Sequence, residues 1–334
     1  MKILCLQLKR IGDLLLTTSA LTALKDAYPN AEIHVAVDGA FASLFPCLPA
    51  HRILPLRRGT IGAWLTLLRE RYAVCLDFNA SDRSSLASFL VRSPCKVTYA
   101  RFAKRPFRRI IYHTFVNSIL SERHTADFHM DLLSALGIHR EGLPLSIKLP
   151  LKAMDSVDRI LTSLGVAPSP FIVFHPGTLR PEKYWSNERW LEVIRHIRQI
   201  HPLPILLTGS PSQSEQLRLQ SLLAHSHEGL WHDLTGKLNL AELAALISKA
   251  RMLCGVDSAP IHLADALSTP CVALFGPTNP YQWRPRNPIS RVVGPHSIPY
   301  RPQDPGAAMD TITVEEVTLA IDDLLQNHPF QMAR

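Results

Sequence analysis

The sequence predicts an α/β protein built from two domains in series, and three observations lead to this prediction. The chain has 334 residues, about twice the length of an average single domain. Strand-like apolar segments alternate with helix-like segments, which is typical of parallel sheets covered by helices on both faces. The alternation stops in a proline-containing stretch, 142–151, and then starts again. We therefore predict one domain over 1–150 and a second over 151–310.

The first domain opens on a strand-like segment, 2–8, followed by a helical pattern over 13–27 with Leu14, Leu21 and Leu24 at helical spacing. Pro29 ends this pattern, because proline cannot continue a helix. Helical stretches then separate four further predicted strands, at 32–37, 52–56, 72–77 and 96–99.

The second domain repeats the same order of elements. Its strands are predicted at 171–175, 204–208, 252–256 and 271–275, and its helices at 187–200, 213–224, 240–250 and 259–267. A final helix over 314–326 follows a proline-rich segment, and 311–334 is expected to pack back on the first domain. Ligands of parallel sheets bind beyond the carboxyl ends of the strands, so two domains facing across a cleft would place a site between them.

Composition excludes several classes of protein. Hydrophobic residues make up 46% and charged residues 19%, unlike a disordered chain or a coiled coil. No apolar run reaches 18 residues and the first residues lack the pattern of a signal peptide, so we expect a cytoplasmic protein. The six cysteines include no Cys-x-x-Cys pair, which favours free thiols over disulfides or a zinc site.

The net charge is concentrated in the first half of the chain. Residues 1–150 contain 20 Lys and Arg against 11 Asp and Glu, whereas 151–334 contain 16 against 17. The excess is greatest over 92–109, which contains no acid. Such a block is either a solvated basic face or attracts an anionic partner, namely a nucleic acid, a lipid surface or an acidic glycan. The sequence has no RNA-binding motif or zinc finger, which argues against nucleic acid.

Asp13 is the first candidate for chemistry. It lies where the first strand turns into the first helix, next to Gly12 and after Lys9 and Arg10. One interpretation is a residue that only stabilises the helix N-terminus. The other is a general base whose charged form the helix dipole and the neighbouring cations favour. The segment lacks Gly-x-Gly-x-x-Gly, so a dinucleotide fingerprint is absent.

A second candidate site follows the strand predicted at 252–256. Ser258 suits an N-cap and Pro260 suits a first helical turn. This turn has no acid after the cap, so its N–H groups could bind a phosphate. Asp257 would accept hydrogen bonds from sugar hydroxyls, and His262 is either a phosphate donor or a packed core residue.

A third candidate site follows the strand at 171–175. Gly177 and Thr178 offer backbone and hydroxyl donors, and Lys183 supplies a charge suited to a diphosphate. Further turns with glycine follow the strands at 204–208 and 271–275. Four strand ends with glycine in one domain favour a nucleotide-diphosphate pocket.

Together these segments resemble the ADP-heptose:lipopolysaccharide heptosyltransferases, glycosyltransferase family 9. The resemblance covers nearly the whole chain except about 40–125. It rests on four motifs, which are Arg10-Ile11-Gly12-Asp13, His175-Pro176-Gly177 with Lys183-Tyr184-Trp185, Asp257-Ser258-Ala259-Pro260-Ile261-His262, and Phe275-Gly276-Pro277-Thr278.

The resemblance implies a GT-B fold, with two Rossmann-like α/β domains facing across a cleft. The first would bind a lipopolysaccharide inner-core acceptor and the second ADP-heptose, in an inverting transfer that needs no metal or cofactor. Asp13 would be the catalytic base. The donor-binding residues would be Thr178, Lys183, Leu238, Asp257, Ser258, Ala259 and His262, with Leu238 beside the adenine.

The basic first domain then suggests contact with an anionic acceptor and with the cytoplasmic face of the inner membrane. The residues expected to make it are Lys9, Arg10, Arg101, Lys104, Arg105, Arg108 and Arg109. Two alternatives remain open, which are a related GT-B glycosyltransferase with another nucleotide sugar and a non-catalytic sugar-nucleotide binding protein.

Overall fold

Each half of the chain folds around one parallel sheet of six strands, with helices packed on the sheet. This architecture comes from a computed structural model, which describes residues 1–57, 61–295 and 298–327. The chain divides into two units between Lys148 and Leu149. The predicted α/β class with two domains is therefore confirmed.

The first unit contains strands β1 to β6 and helices α1 to α5. Its sheet has the order β3-β2-β1-β4-β5-β6. The strands are β1 (Lys2–Gln7), β2 (Glu32–Asp38), β3 (Arg52–Leu56), β4 (Val74–Asp77), β5 (Cys95–Tyr99) and β6 (Thr114–Val116). The helices are α1 (Ile11–Ala27), α2 (Ile61–Arg69), α3 (Asp82–Leu90), α4 (Pro106–Ile111) and α5 (Thr125–Asp131).

Strand β1 shows why this sheet is covered on both faces. Its side chains alternate between two apolar clusters, because successive residues of a strand point to opposite faces. Ile3 and Cys5 belong to the cluster that contains Leu14 of α1. Leu4 belongs to the cluster that contains Leu67 of α2. The middle of this strand, Ile3 to Leu6, is therefore entirely apolar.

The second unit contains strands β7 to β12 and helices α6 to α13, in a sheet of order β12-β11-β10-β7-β8-β9. The strands are β7 (Ile172–His175), β8 (Ile205–Leu207), β9 (His232–Asp233), β10 (Met252–Val256), β11 (Cys271–Leu274) and β12 (Arg291–Val293). The helices are α6 (Leu151–Ser163), α7 (Asn187–Ile200), α8 (Gln213–Arg218), α9 (Gln220–Leu223), α10 (Leu240–Lys249), α11 (Ala259–Ala266), α12 (Pro280–Trp283) and α13 (Val314–Asn327).

The last helix, α13, packs within the second unit. Its side chains Val317, Ile321 and Leu324 are buried in the same apolar cluster as Trp190 and Ile194 of α7. The apolar face of this helix is thus used in the core of the second unit, and the packing of 311–334 on the first domain stays a prediction. Residues 328–334 of that range lie outside the described residues.

The predicted elements are otherwise present with small shifts at their ends, and apart from helix α6 the differences concern short or interrupted segments. The helix predicted over 213–224 is two helices, α8 and α9, separated at Leu219. The sequence pattern predicts neither helix α6 nor the short helices α4, α5 and α12, and it misses the short strands β6, β9 and β12. All three of these strands contain two or three residues and lie at sheet edges, where they are too short to show a pattern.

All six cysteines are free thiols, as predicted. In the parts of the chain that the structure describes, no helix has both the length and the hydropathy needed to cross a bilayer.

Candidate functional site

Each sheet has a point where its strand order changes direction, beside the first strand of the unit. In the first sheet β1 lies between β2 and β4, and in the second β7 lies between β8 and β10. Loops that leave two such adjacent strands diverge to opposite faces of the sheet and leave a crevice where ligands bind. The loops after β1 and β4, and after β7 and β10, are therefore the candidate sites. Asp13 follows β1, Thr178 follows β7, and Asp257 follows β10.

Asp13 lies in the first turn of α1 and is partly buried. The backbone around it is fixed by Gln7, the last residue of β1. The Gln7 side-chain amide donates to the Asp13 carbonyl oxygen at 3.4 Å and to Thr17 Oγ1 at 2.9 Å. Asn79, in the loop after β4, donates to Gln7 Oε1 and accepts from the Leu8 N–H at 3.3 Å. The two loops at this switch point are thus joined by buried hydrogen bonds.

Arg101 and Lys9 make this edge of the first sheet electropositive. The Arg101 guanidinium lies 4.7 Å from the ring centre of Phe102 and 4.9 Å from that of Phe128. Burial lowers the pKa of Arg101, and the charge of Asp13 offsets part of this effect. Burial, with smaller effects from the charges of Lys9 and Arg101, lowers the pKa of His129 to about 3. His129 is therefore neutral near pH 7.

All the predicted basic residues except Arg108 are exposed. They are Lys9, Arg10, Arg101, Lys104, Arg105 and Arg109. Arg105 pairs with Asp82 at 3.4 Å, and Arg109 donates from Nε to the Ala103 carbonyl oxygen at 2.8 Å.

Arg108 is buried, whereas we predict from the sequence that it contacts the acceptor or the membrane. It is 6% exposed, its Nη2 lies 3.3 Å from Asp82 Oδ1, and its guanidinium stacks 4.9 Å from the ring centre of Phe102. Its side chain therefore links α4 to α3 and is not exposed for contact with an acceptor or a membrane.

In the second unit, Lys183 and Asp257 form a buried ion pair. Lys183 ends a 3-10 turn, Pro181–Lys183, and its Nζ lies 2.5 Å from Asp257 Oδ2 and 3.1 Å from the Asp257 carbonyl oxygen. The Thr278 hydroxyl, after β11, donates to the same Oδ2 at 2.6 Å. Because each charge is compensated by the other, a lysine and an aspartate are held together at the carboxyl ends of the strands.

Helix α11 begins directly beside this pair. Ser258 is the N-cap residue, but its side chain makes no capping hydrogen bond and donates instead to the Gly177 carbonyl oxygen at 3.4 Å. The first turn, which starts at Ala259, contains no acidic residue. The positive end of the helix dipole therefore lies next to Lys183, an arrangement that favours binding of an anion.

Glu215, in α8, fixes the loop after β8 and lies against the loop after β7, and no pattern in the sequence marks it. Its carboxylate is buried and accepts from the Ser210 N–H at 2.5 Å. A Cβ atom on Gly177 would lie 2.2 Å from Glu215 Oε1. A side chain at position 177 would therefore require the Glu215 carboxylate to move.

The remaining predicted donor residues are placed as follows. Thr178 is buried, and its Oγ1 accepts from the Arg180 N–H at 3.3 Å, which closes the turn before Lys183. His262 is 3% exposed, one turn into α11. Leu238 is partly buried in the loop before α10. Across the described ranges, no group of three His, Cys, Asp or Glu side chains could hold a metal ion.

Comparison with known proteins gives a consistent set of similarities. Residues 63–304 match the model of glycosyltransferase family 9 (heptosyltransferase). The chain is 26% identical over 287 residues to lipopolysaccharide heptosyltransferase 3 of Escherichia coli K12, and the match covers 82% of each chain.

Two solved structures share the fold. The E. coli ADP-heptose LPS heptosyltransferase II superimposes with a TM-score of 0.80 and 21% identity, covering 99% of this chain and 100% of that one. The E. coli heptosyltransferase WaaC with ADP gives a TM-score of 0.75 and 20% identity, covering 97% and 100%. The fold is thus of the GT-B type.

Proposed function

The chain belongs to glycosyltransferase family 9, the heptosyltransferases, and from that premise we propose that it transfers heptose from ADP-heptose to the inner core of lipopolysaccharide. The transfer inverts the anomeric centre and needs no metal ion. The observation that carries this proposal is the position of the charged groups at the two switch points. A carboxylate, Asp13, lies at one of them, and Lys183 beside an uncapped helix N-terminus lies at the other.

We propose that the second unit binds the donor through its diphosphate. Lys183 Nζ and the first-turn N–H groups of α11 supply positive charge where the diphosphate would lie. Asp257 orients Lys183 and accepts from a heptose hydroxyl, while Thr178 and His262 contribute further donors. Leu238 packs against the adenine. The ADP in the WaaC structure and the ADP-heptose named for heptosyltransferase II support this choice of donor.

We propose that Asp13 is the general base. The acceptor hydroxyl gives its proton to the Asp13 carboxylate while its oxygen forms a bond to the anomeric carbon. On the opposite side of that carbon, the bond to the β-phosphate oxygen breaks, and its electron pair leaves with ADP. Lys183 and the N-terminus of α11 stabilise the negative charge that develops on ADP.

We propose that the acceptor is bound by the first unit. Inner-core lipopolysaccharide carries carboxylate and phosphate groups, and Lys9, Arg10 and Arg101 place cations on the same sheet edge as Asp13. Lys104, Arg105 and Arg109 would contact the cytoplasmic face of the inner membrane in which the acceptor is embedded. The enzyme would then act as a peripheral membrane protein.

Calorimetric titration with ADP, UDP and NAD, each with a chelator present, tests the donor site first. We expect binding of ADP alone, followed by turnover of ADP-heptose with a lipopolysaccharide core acceptor. Preference for UDP would indicate a glycosyltransferase with another donor. Binding of ADP-heptose without turnover on any core acceptor would indicate a binding protein, and a requirement for a divalent cation would contradict the metal-independent mechanism.

A further inference from the structure

Helices α3 and α4 carry exposed apolar side chains on adjoining surfaces of the first unit. Leu86 and Phe89 lie three residues apart on α3 and are 49% and 53% exposed. Phe107 and Ile110 lie three residues apart on α4 and are 58% and 74% exposed. Residues at this spacing share one helix face, and the rings of Phe89 and Phe107 are 6.3 Å apart. We call these four residues the α3–α4 apolar face.

The inner side of α3 is mostly polar, whereas a surface helix usually turns an apolar side inward. Ser84, Ser85 and Ser88 of α3 are buried. The hydroxyl of Ser85 accepts from Tyr112, and that of Ser88 donates to Asp77 at 3.4 Å. In α4, the buried side chains are Arg108 and Ile111. The sequence thus places three serines and Arg108 inside, together with Ala87 and Ile111, and leaves four large apolar side chains outside.

Basic side chains border the α3–α4 apolar face. Lys104 and Arg105 immediately precede α4, Arg109 lies within it, and Arg92 follows α3, and all four are exposed. Asp82, at the start of α3, pairs with Arg105 and Arg108. The border is therefore positively charged.

We propose that the α3–α4 apolar face inserts into the surface of a bilayer of anionic phospholipids, with Lys104, Arg105 and Arg109 against the headgroups. Apolar side chains bordered by Lys and Arg are the combination that holds helices in a membrane interface. A second copy of this chain is a poorer occupant, because a twofold interface would bring two positively charged borders together. The inference rests on the proposed function, because an enzyme that acts on a membrane-embedded acceptor has to reach the membrane surface.

The test is binding to vesicles in the absence of donor and acceptor. The full chain is sedimented with vesicles of phosphatidylethanolamine and phosphatidylglycerol, and with vesicles of phosphatidylcholine alone. We expect binding to the anionic vesicles, and we expect the double variant Phe107→Gln/Ile110→Gln to bind at least about tenfold more weakly. The double variant Leu217→Gln/Leu319→Gln replaces two exposed leucines of the second unit and should bind as the parent does.

Three results would overturn the proposal. The first is equal binding by the parent and the Phe107→Gln/Ile110→Gln variant, and the second is no binding by the parent. The third is a parent that dimerises without binding vesicles, together with a variant that no longer dimerises. Activity on a detergent-dispersed acceptor distinguishes a failure of this proposal from a failure of the proposed function. We expect that activity to be unchanged in the variant, whereas a failure of the proposed reaction would remove it from the parent as well.

Discussion

At the scale of single residues, Asp13 has two possible roles, and the two roles predict different effects of replacing it. A residue that only stabilises the start of α1 affects stability. A general base affects the rate at which the bound acceptor reacts and leaves donor affinity unchanged. The hydrogen bonds from Gln7 reach the backbone carbonyl of Asp13, so replacing the carboxylate leaves the loop attachment in place.

We therefore expect Asp13→Asn to lower kcat by about 10²- to 10⁴-fold, the usual contribution of a general base. The dissociation constant for ADP, measured by calorimetry, should change by less than about twofold. Asp26→Asn is the matched control, because Asp26 lies in the same helix and makes an exposed pair with Arg140. Equal losses of kcat in the two variants would contradict a catalytic role for Asp13.

His129 gives a prediction about pH. Its pKa is about 3 in the folded protein, mainly because of burial, whereas an unperturbed imidazole titrates near 6.5. Between these values the unfolded chain binds a proton that the folded protein does not. The contribution of His129 to stability is therefore lost as the pH falls from about 6.5 towards 3.

We expect that moving from about pH 7.5 to about pH 5 costs about 2 kcal/mol of unfolding free energy through His129 alone. His129→Gln should reduce the pH-dependent loss by that amount. Urea unfolding at both pH values measures it, and His139→Gln, at an exposed histidine, is the control. If His129→Gln loses as much stability as the parent on acidification, the assignment is wrong.

The sequence identified the charged residues of the candidate site better than the residues that hold them. Asp13, Lys183 and Asp257 were recognisable because they lie beside glycine or proline at strand ends. Gln7 and Glu215 were not, because a single polar residue in an apolar strand or a short helix has no spacing that marks it. Gln7 accepts from Asn79 of the loop after β4, and Glu215 lies against Gly177 of the loop after β7, and these contacts become visible only once the sheet brings the loops together.

At the scale of elements, the sequence pattern identified the central strands and left out the edge strands. Central strands such as β1 and β10 contain apolar runs of four or five residues buried on both faces. β9 and β12 contain two and three residues at the sheet edges, and fewer of their residues are buried. Helices α3 and α4 also escape a simple pattern, because some of their polar side chains are buried and some of their apolar side chains are exposed.

An acidic residue in the first turn of α11 should have opposite effects on the stability of the protein and on its affinity for ADP. An acid in the first turn of a helix stabilises it by about 0.3–1 kcal/mol, and it repels a diphosphate at the same place. We expect Ala259→Asp to maintain or raise the unfolding free energy while weakening ADP binding by at least about tenfold. Calorimetry and urea unfolding measure the two effects.

The control for this variant is Lys152→Asp, in the first turn of α6, which also lacks an acid. It should affect stability in the same direction and leave ADP binding unchanged. ADP affinity that survives in Ala259→Asp would show that the diphosphate does not lie at this helix N-terminus.

At the scale of the whole molecule, the two halves of the chain differ in net charge. Under the proposed function, the ligand that each half binds accounts for this difference. Residues 1–150 carry an excess of nine positive charges, whereas 151–334 carry one excess negative charge. A unit that recognises one nucleotide sugar needs a few placed cations. A unit that approaches an anionic glycan on an anionic membrane gains from a long-range field, which salt screens.

The salt dependence of activity tests this account. We expect the triple variant Lys104→Gln/Arg105→Gln/Arg109→Gln to lose at least about fivefold in kcat/KM on a lipid-embedded acceptor at low salt, and the difference should disappear near 0.5 M NaCl. The control, Lys152→Gln/Arg159→Gln/Lys237→Gln, removes three exposed cations from the second unit and changes the net charge equally. Equal losses in both triple variants would mean that only net charge matters. A loss confined to the first triple, and abolished by salt, would assign the effect to the basic border of α3 and α4.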